Sequence, residues 1–483
     1  MTGLHFAQYR RPRARRLVIA LCALGAIVAI AVLAPEARAG WTAPITVSSP
    51  HDAIGNLQVG AGPSENLISW RFYDLLAPGR QMFGAPGARY SVSAASGAFG
   101  PERVLPASYT TGSLVALGEG RLAQLILRRT GPNTSRAEVA LGSVGGSFSG
   151  PLAVAGSVLG ARASLAGNSR GELLLSWIGV TPSGRRQVWA SVRRSNGRFS
   201  KPELISAGTD AQQVSSFMAG PIHRTDLGGF AADMLVTFAS GQGRMLVRIR
   251  RHLAGWGRVQ DVGPAAIGTV NDVSARIGRN GRMIVAWSHQ QLSEGGPLGP
   301  GFTQVAVLPA NAHGFLPAQT LERDPSASVP GEPVVLADNG RGFLVAFLAQ
   351  PGRPSGGYLP ALVRVAYSAG DRFAGPRTIS PPGQGASGLA GAEGLTGDIV
   401  TWSSSPSGAE RALNGPAVYA AVGSPSSIHL GSPQRVSPSE RAEDAVPAYS
   451  FATGSWLVAW AGRPGYRSPA NAGQDTVRVS YGS

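Results

Sequence analysis

Gly197-Arg198-Phe199-Ser200-Lys201-Pro202 is one copy of a phrase the chain uses eight times: an aromatic or bulky apolar residue, usually a proline two or three positions on, then a short β-branched tail. The other copies are Trp41-x-x-Pro44, Phe99-x-Pro101, Phe148-x-x-Pro151, Trp256 with Val259 in place of proline, Phe315-x-Pro317, Phe373-x-x-Pro376 and Leu430-x-x-Pro433. Successive copies stand 49 to 59 residues apart. One phrase at one period across the chain marks a repeat architecture.

Working outward from Phe199, two apolar runs precede it, Leu173 to Trp177 and Val188 to Val192. Both are short, rich in β-branched, leucine or aromatic residues, and bounded by turn residues, as buried strands are. The first run of each period ends in a large side chain: Trp70, Trp177, Phe238, Trp287, Phe347, Trp402 and Trp460, with Leu127 standing there in the second period. A further strand precedes it across tight turns such as Arg279-Asn280-Gly281. One period thus holds four strands, for example Val273 to Gly278, Met283 to Trp287, Gln304 to Leu308 and the Phe315 phrase. Four strands in about 55 residues, repeated eight times, predict an all-β chain: a single β-propeller of eight four-stranded blades. The less regular period from Phe99 to Gly146 leaves seven blades as the alternative. The repeat opens on a fourth strand (Trp41 to Ser48) and ends on a third (Val477 to Tyr481). Pairing of that N-terminal strand with the C-terminal blade would close the ring and remove its open edges. The recurring aromatics are read as packing between blades.

Residues 1–39 read as an export signal, leaving 40–483 as the propeller domain. Arg10, Arg11, Arg13, Arg15 and Arg16 form a basic region, Leu17 to Leu33 an apolar run, and Ala37-Arg38-Ala39 a cleavage site. An uncleaved signal would be the one route to membrane attachment. Arg15-Arg16 before Leu17-Val18-Ile19 leaves twin-arginine and general secretory export both open. The expected location is extracytoplasmic, secreted or in the cell envelope. Cys22, the sole cysteine, lies in the apolar run, so the propeller has no disulfide, thiolate metal site or cysteine nucleophile. The formal charge is +16; residues 1–39 hold six arginines and one glutamate, so about +11 remains on the propeller. Such a charge favours acidic glycans or envelope polymers, while nucleic acid is not an expected partner outside the cytoplasm.

The turn entering each fourth strand resembles the Asp-box of sialidase-type, or BNR, propellers, whose pattern is Ser-x-Asp-x-Gly-x-x-Trp. The shared parts are the glycine, the aromatic and the proline: Gly197-Arg198-Phe199-Ser200-Lys201-Pro202, Gly97-Ala98-Phe99, Gly146-Ser147-Phe148 and Gly370-Asp371-Arg372-Phe373. The serine and aspartate are missing at their usual offsets. The resemblance covers all eight periods in rhythm and implies the propeller fold. It brings no catalytic residue, because the Phe-Arg-Ile-Pro phrase of sialidases is absent. No tryptophan is followed by aspartate, as in WD40 blades, and the glycine pairs do not recur in kelch register.

Strand direction puts the short glycine-rich turns on one face and the long second-to-third loops, with the links between blades, on the other. Long loops on a rigid scaffold concentrate binding residues, so the long-loop face is the candidate site and the short-loop face is not. Acidic residues near the starts of inner strands, Asp52, Asp210, Asp272, Glu332 and Asp444 (with Glu443), are candidate ligand-binding groups around the channel mouth, where carboxylates could hold a cation or a basic group. Their unequal offsets equally suit Asp capping of turns. Arg193, Arg194, Arg248 and Arg250 are the candidate polyanion patch, the centre of a basic cluster that also holds Arg185, Arg186, Arg198, Lys201, Arg244 and Arg251. The histidines His51, His223, His252, His289, His313 and His429 match no metal-ligand spacing, and no nucleophile elbow or phosphate loop occurs. No cofactor, metal or catalytic residue is assigned. The expected function is an exported, monomeric, non-catalytic propeller that binds a glycan, an envelope polymer or a protein; a divergent sialidase-like glycoside hydrolase or lyase is the alternative.

Overall fold

The computed structural model describes residues 40–482 apart from 62–64, 74–86, 94–95, 106–113, 118–119, 144–145, 161, 169, 195–196, 207, 209, 219–232, 242, 252–254, 265–269, 279–280, 293–297, 325–330, 338–341, 352–358, 407–414, 425–426, 428, 439–440 and 464–473. The expected signal therefore lies outside the described residues, and among those described no helix is long and apolar enough to cross a membrane.

All the regular structure among the described residues is β, in eight antiparallel sheets. The inner strands of blades 1 to 8 are Ala53–Ala61, Leu114–Ala116, Ala163–Gly167, Ala211–Met218, Val270–Ile277, Gly331–Ala337, Gln384–Gly394 and Arg441–Ser450. Each touches the next, and the eighth touches the first, so the sheets form a ring. The irregular second period forms its own four strands, Leu114–Ala116, Arg121–Arg129, Thr134–Ser143 and Leu152–Leu159, which settles the count at eight. Blade 8 is completed from the other end of the chain: Ile45–Thr46 pairs with Thr476–Gly482. Blade 6 carries one extra short strand, Arg372–Phe373, ahead of its outer strand Arg377–Thr378.

The repeated phrase has a backbone role that explains its persistence. In every blade the residue after the aromatic donates its N–H to a third-strand carbonyl: Thr42, Gly100, Ser149, Ser200, Gly257, Leu316, Ala374 and Gly431, at 2.7 to 3.0 Å. The aromatic is thus the point where the outer strand first meets its neighbour. In four blades the β-branched tail ends in a serine, Ser48, Ser206, Ser380 or Ser437. Its Oγ accepts the N–H of Val477, Val188, Val363 or Val418 at 2.8 to 3.1 Å, closing the outer strand's far end.

The second-strand aromatics are buried, from 0% exposed at Trp287, Phe347, Trp402 and Trp460 to 4% at Trp177. They belong to apolar clusters that each span two neighbouring blades. Trp287 of blade 5 shows how they work: its ring lies against Gly263 of blade 4, where a Cβ would stand 2.9 Å away, and its Nε1 donates to Pro264 O at 3.0 Å. Burying such surface in seven of the eight seams supplies stability without disulfides. Among the described residues the cluster between blades 1 and 2 is the smallest, with four buried residues, Leu67, Tyr90, Leu105 and Leu122.

Candidate functional site

The inner strands are irregular near their long-loop ends. In four blades a two-residue bulge lies opposite the second-strand aromatic: Asn56-Leu57 against Trp70, Glu332-Pro333 against Phe347, Gly388-Leu389 against Trp402, and Asp444-Ala445 against Trp460. These are blades 1, 6, 7 and 8, a continuous arc of the ring. Asn56, Gly388 and Asp444 adopt left-handed backbone, with φ of 51°, 61° and 56°. That conformation suits Asn, Asp and Gly, which explains their choice at this place. The next residue, Leu57, Leu389 or Ala445, is driven into the core between blades, while Asn56 and Asp444 stay exposed. Blades 4 and 5 have smaller bulges, around Gln212 and Asn271.

This geometry sorts the acidic candidates. Asp444 and Glu332 share one register position in the arc. Asp272 follows the blade 5 bulge, and Asp52 and Asp210 precede their strands. Asp210 is engaged by Arg186 of blade 3: Nε and Nη2 donate to its two oxygens at 3.1 and 2.5 Å, and the Arg186 backbone N–H adds a third bond at 3.0 Å. Those hydrogen bonds hold its carboxyl below the usual aspartate range. Asp52 accepts from Gln474 at 3.4 Å.

Asp444 stands apart. Its Oδ2 reaches toward blade 1, where a Cβ on Gly55 would lie 3.7 Å away. Two other carboxylates flank it, each with its own cation: Glu443 with Arg441 at 3.0 Å and Asp475 with Arg463 at 2.7 Å. No cation or hydrogen-bond donor among the described residues meets Asp444 itself. Desolvation by the surrounding mouth, then the like charges of Glu443 and Asp475, push its pKa up from the ordinary value. Buried His51 stacks on Phe72 with ring centroids 4.0 Å apart. At the opposite end of the inner strands, Arg276 of blade 5 donates to Glu393 of blade 7 at 3.0 Å, past blade 6. Among the described residues no three His, Cys, Asp or Glu side chains come together as metal ligands would.

Arg193 and Arg250 hold the same register in blades 3 and 4, opposite Phe199 and Trp256 at the short-loop ends of their third strands. Arg194 is exposed just beyond. Arg248 is spent inside the seam, donating to Gly257 O at 2.7 Å and to Leu204 O at 2.6 Å.

Sequence reasoning missed the bulges, the serine caps and the isolation of Asp444. The serines had a signal: Val47-Ser48, Ile205-Ser206, Ile379-Ser380 and Val436-Ser437 all follow the phrase at similar distance. Of the long loops expected to shape the mouth, residues 74–86, 293–297, 352–358, 407–414 and 464–473 lie outside the described residues, as do His223 and His252.

Fold and mouth together define an eight-bladed propeller with a polar arc around one channel end. No family model and no curated protein matches the chain. Solved structures match it in shape. A polysaccharide lyase, an ulvan lyase solved bound to -[GlcA(1-4)Rha3S]-, aligns with a TM-score of 0.50 at 11% identity, over 92% of this chain and 95% of that one. A protein of unknown function from Dyadobacter fermentans gives 0.40 at 10% identity over 92% and 99%. Trypanosoma rangeli sialidase gives 0.33 at 12% identity over 80% and 56%. At 11% identity the likeness to the polysaccharide lyase is one of fold.

Proposed function

We propose that the chain is an exported, non-catalytic propeller that binds a saccharide, free or in an envelope polymer, at the long-loop mouth of its channel. The isolation of Asp444 carries this reading. A carboxylate without a partner among the described residues, held between blades 8 and 1, is a strong acceptor for sugar hydroxyls, and Asn56 at the equivalent position of blade 1 can both donate and accept. The net positive charge of the propeller supports attraction of acidic polymers from a distance. Export is supported by the basic, apolar and Ala37-Arg38-Ala39 segments. The closed ring, whose sheet edges are mostly short outer strands such as Ile45–Thr46 and Glu203–Leu204, supports a monomer. A glycan array probed with the chain and with Asp444→Asn tests the reading. Binding that the substitution weakens about tenfold or more is expected; an array with no bound glycan would remove the proposal.

A second reading is favoured by one observation. The raised pKa of Asp444 suits a group that exchanges protons with a substrate, as a lyase or glycoside hydrolase requires. The fold likeness to the ulvan lyase makes acidic polysaccharides the first substrates to try. Incubating array hits with the chain and assaying unsaturated uronates and new reducing ends separates the two: turnover lost in Asp444→Asn makes the protein an enzyme, and binding without turnover keeps it a binding protein.

A further inference from the structure

The short-loop face, not expected to hold a ligand, carries a cavity of about 650 Å³ between blades 4 and 5. That size lies within the range of small-molecule sites. Its floor is apolar: Ile249 and Leu308 are 6% and 1% exposed, and Ala312 packs with them in the core of the seam. Its rim is rich in donors. Arg251 is held by an ion pair with Asp233. Gln260 accepts the Phe315 N–H through Oε1 at 3.3 Å, which leaves its amide N–H groups for another partner. Arg258, exposed on the turn into the outer strand Gln260–Pro264, makes no ion pair or hydrogen bond among the described residues. No carboxylate lines the cavity among the described residues. Gly255 and Gly281 leave the entrance open, since a Cβ on either would meet nothing within 4 Å.

We propose that this cavity binds a small organic oxyanion, a carboxylate or sulfate on a ring-sized body. The Arg258 guanidinium takes the anion, for which its planar fork is suited. The floor of Ile249, Leu308 and Ala312 takes the ring, and Gln260 orients it. Donors around an apolar base, with no acceptor charge among them, disfavour cations and give neutral ligands no reason to stay. The site is separate from the channel mouth and does not depend on Asp444.

Calorimetric titration of the whole chain at low salt tests this with two oxyanions from different sources, glucuronate and benzoate, and their neutral counterparts glucose and benzyl alcohol. At least one oxyanion binds, its neutral counterpart binds about tenfold or more weakly, and Arg258→Gln weakens the oxyanion about tenfold or more. Which oxyanion binds says whether the body is a sugar or an aromatic ring. Ala312→Leu, which fills the floor, also weakens binding. Thermal melts of Arg258→Gln match the parent, because Arg258 is exposed; if Ala312→Leu fails to fold, Arg258→Gln alone decides. Absence of binding by both oxyanions, equal binding of the neutral compounds, or binding indifferent to Arg258→Gln overturns the proposal.

Discussion

His289 and Asp444 titrate in opposite senses, for opposite surroundings. His289 is 5% exposed in blade 5, stacks on Phe302 at 5.1 Å, and gives its Nε2 proton to Gln304 Oε1 at 3.1 Å. Burial lowers its pKa below the ordinary 6.5, only partly offset by that hydrogen bond. The unfolded chain then binds the proton more readily, so the stability from neutral His289 is complete above about pH 6.5 and is lost as pH falls below it. Denaturant melts from pH 7.5 to 5 (about) should fall in midpoint, with a smaller fall in His289→Gln. For Asp444 the folded pKa lies above the ordinary 3.8, so the native state holds the proton longer and stability declines as pH rises through that folded value. Asparagine tolerates the same left-handed backbone. Asp444→Asn should therefore melt higher than the parent at neutral pH and equal to it below about pH 3.8, even as it loses ligand, a trade of stability for function. Little of this was legible in the sequence. Asp444 and Asp210 look alike there, and only the fold gives Asp210 an arginine while leaving Asp444 without one among the described residues.

At the scale of the strand, the eightfold phrase and the burial of Trp287 and its equivalents were legible, because each rests on local spacing and on side-chain size. The bulges were not. One extra residue opposite an aromatic leaves no mark in strands such as Ala53–Ala61 or Gln384–Gly394, and it shifts the apparent offset of every acidic residue nearby. The cavity between blades 4 and 5 was hidden for a related reason: it depends on how far apart two neighbouring turns are held. Trp287→Ala, which empties a fully buried site and strands Pro264 O, should cost about 3–5 kcal/mol in chemical denaturation. Ser437→Ala should cost about 1–3 kcal/mol, since it leaves the buried Val418 N–H without its acceptor. Hydrogen exchange should open first along Leu114–Ala116 and Asn66–Tyr73, where the seam between blades 1 and 2 buries least. Equal protection at all eight seams would show that the thin cluster does not set local stability.

For the whole molecule, closure decides both shape and function. The ring count and the mixed eighth blade were legible because the repeat opens on a fourth strand and ends on a third. Closure then brings Asp444 of blade 8 against Gly55 of blade 1, although 389 positions separate them. Deleting residues 40–48 removes Ile45–Thr46, leaves Thr476–Gly482 as an open edge, and should yield lower melting and concentration-dependent association in size-exclusion chromatography. The same seam bears the proposed saccharide site, so the architecture and the function meet at one carboxylate. A crystal structure of the chain with the glycan it holds most tightly tests that meeting most directly. The account predicts a sugar ring at the long-loop mouth with a hydroxyl within about 3 Å of an Asp444 oxygen; a sugar seated elsewhere on the ring, with Asp444 untouched, would contradict it.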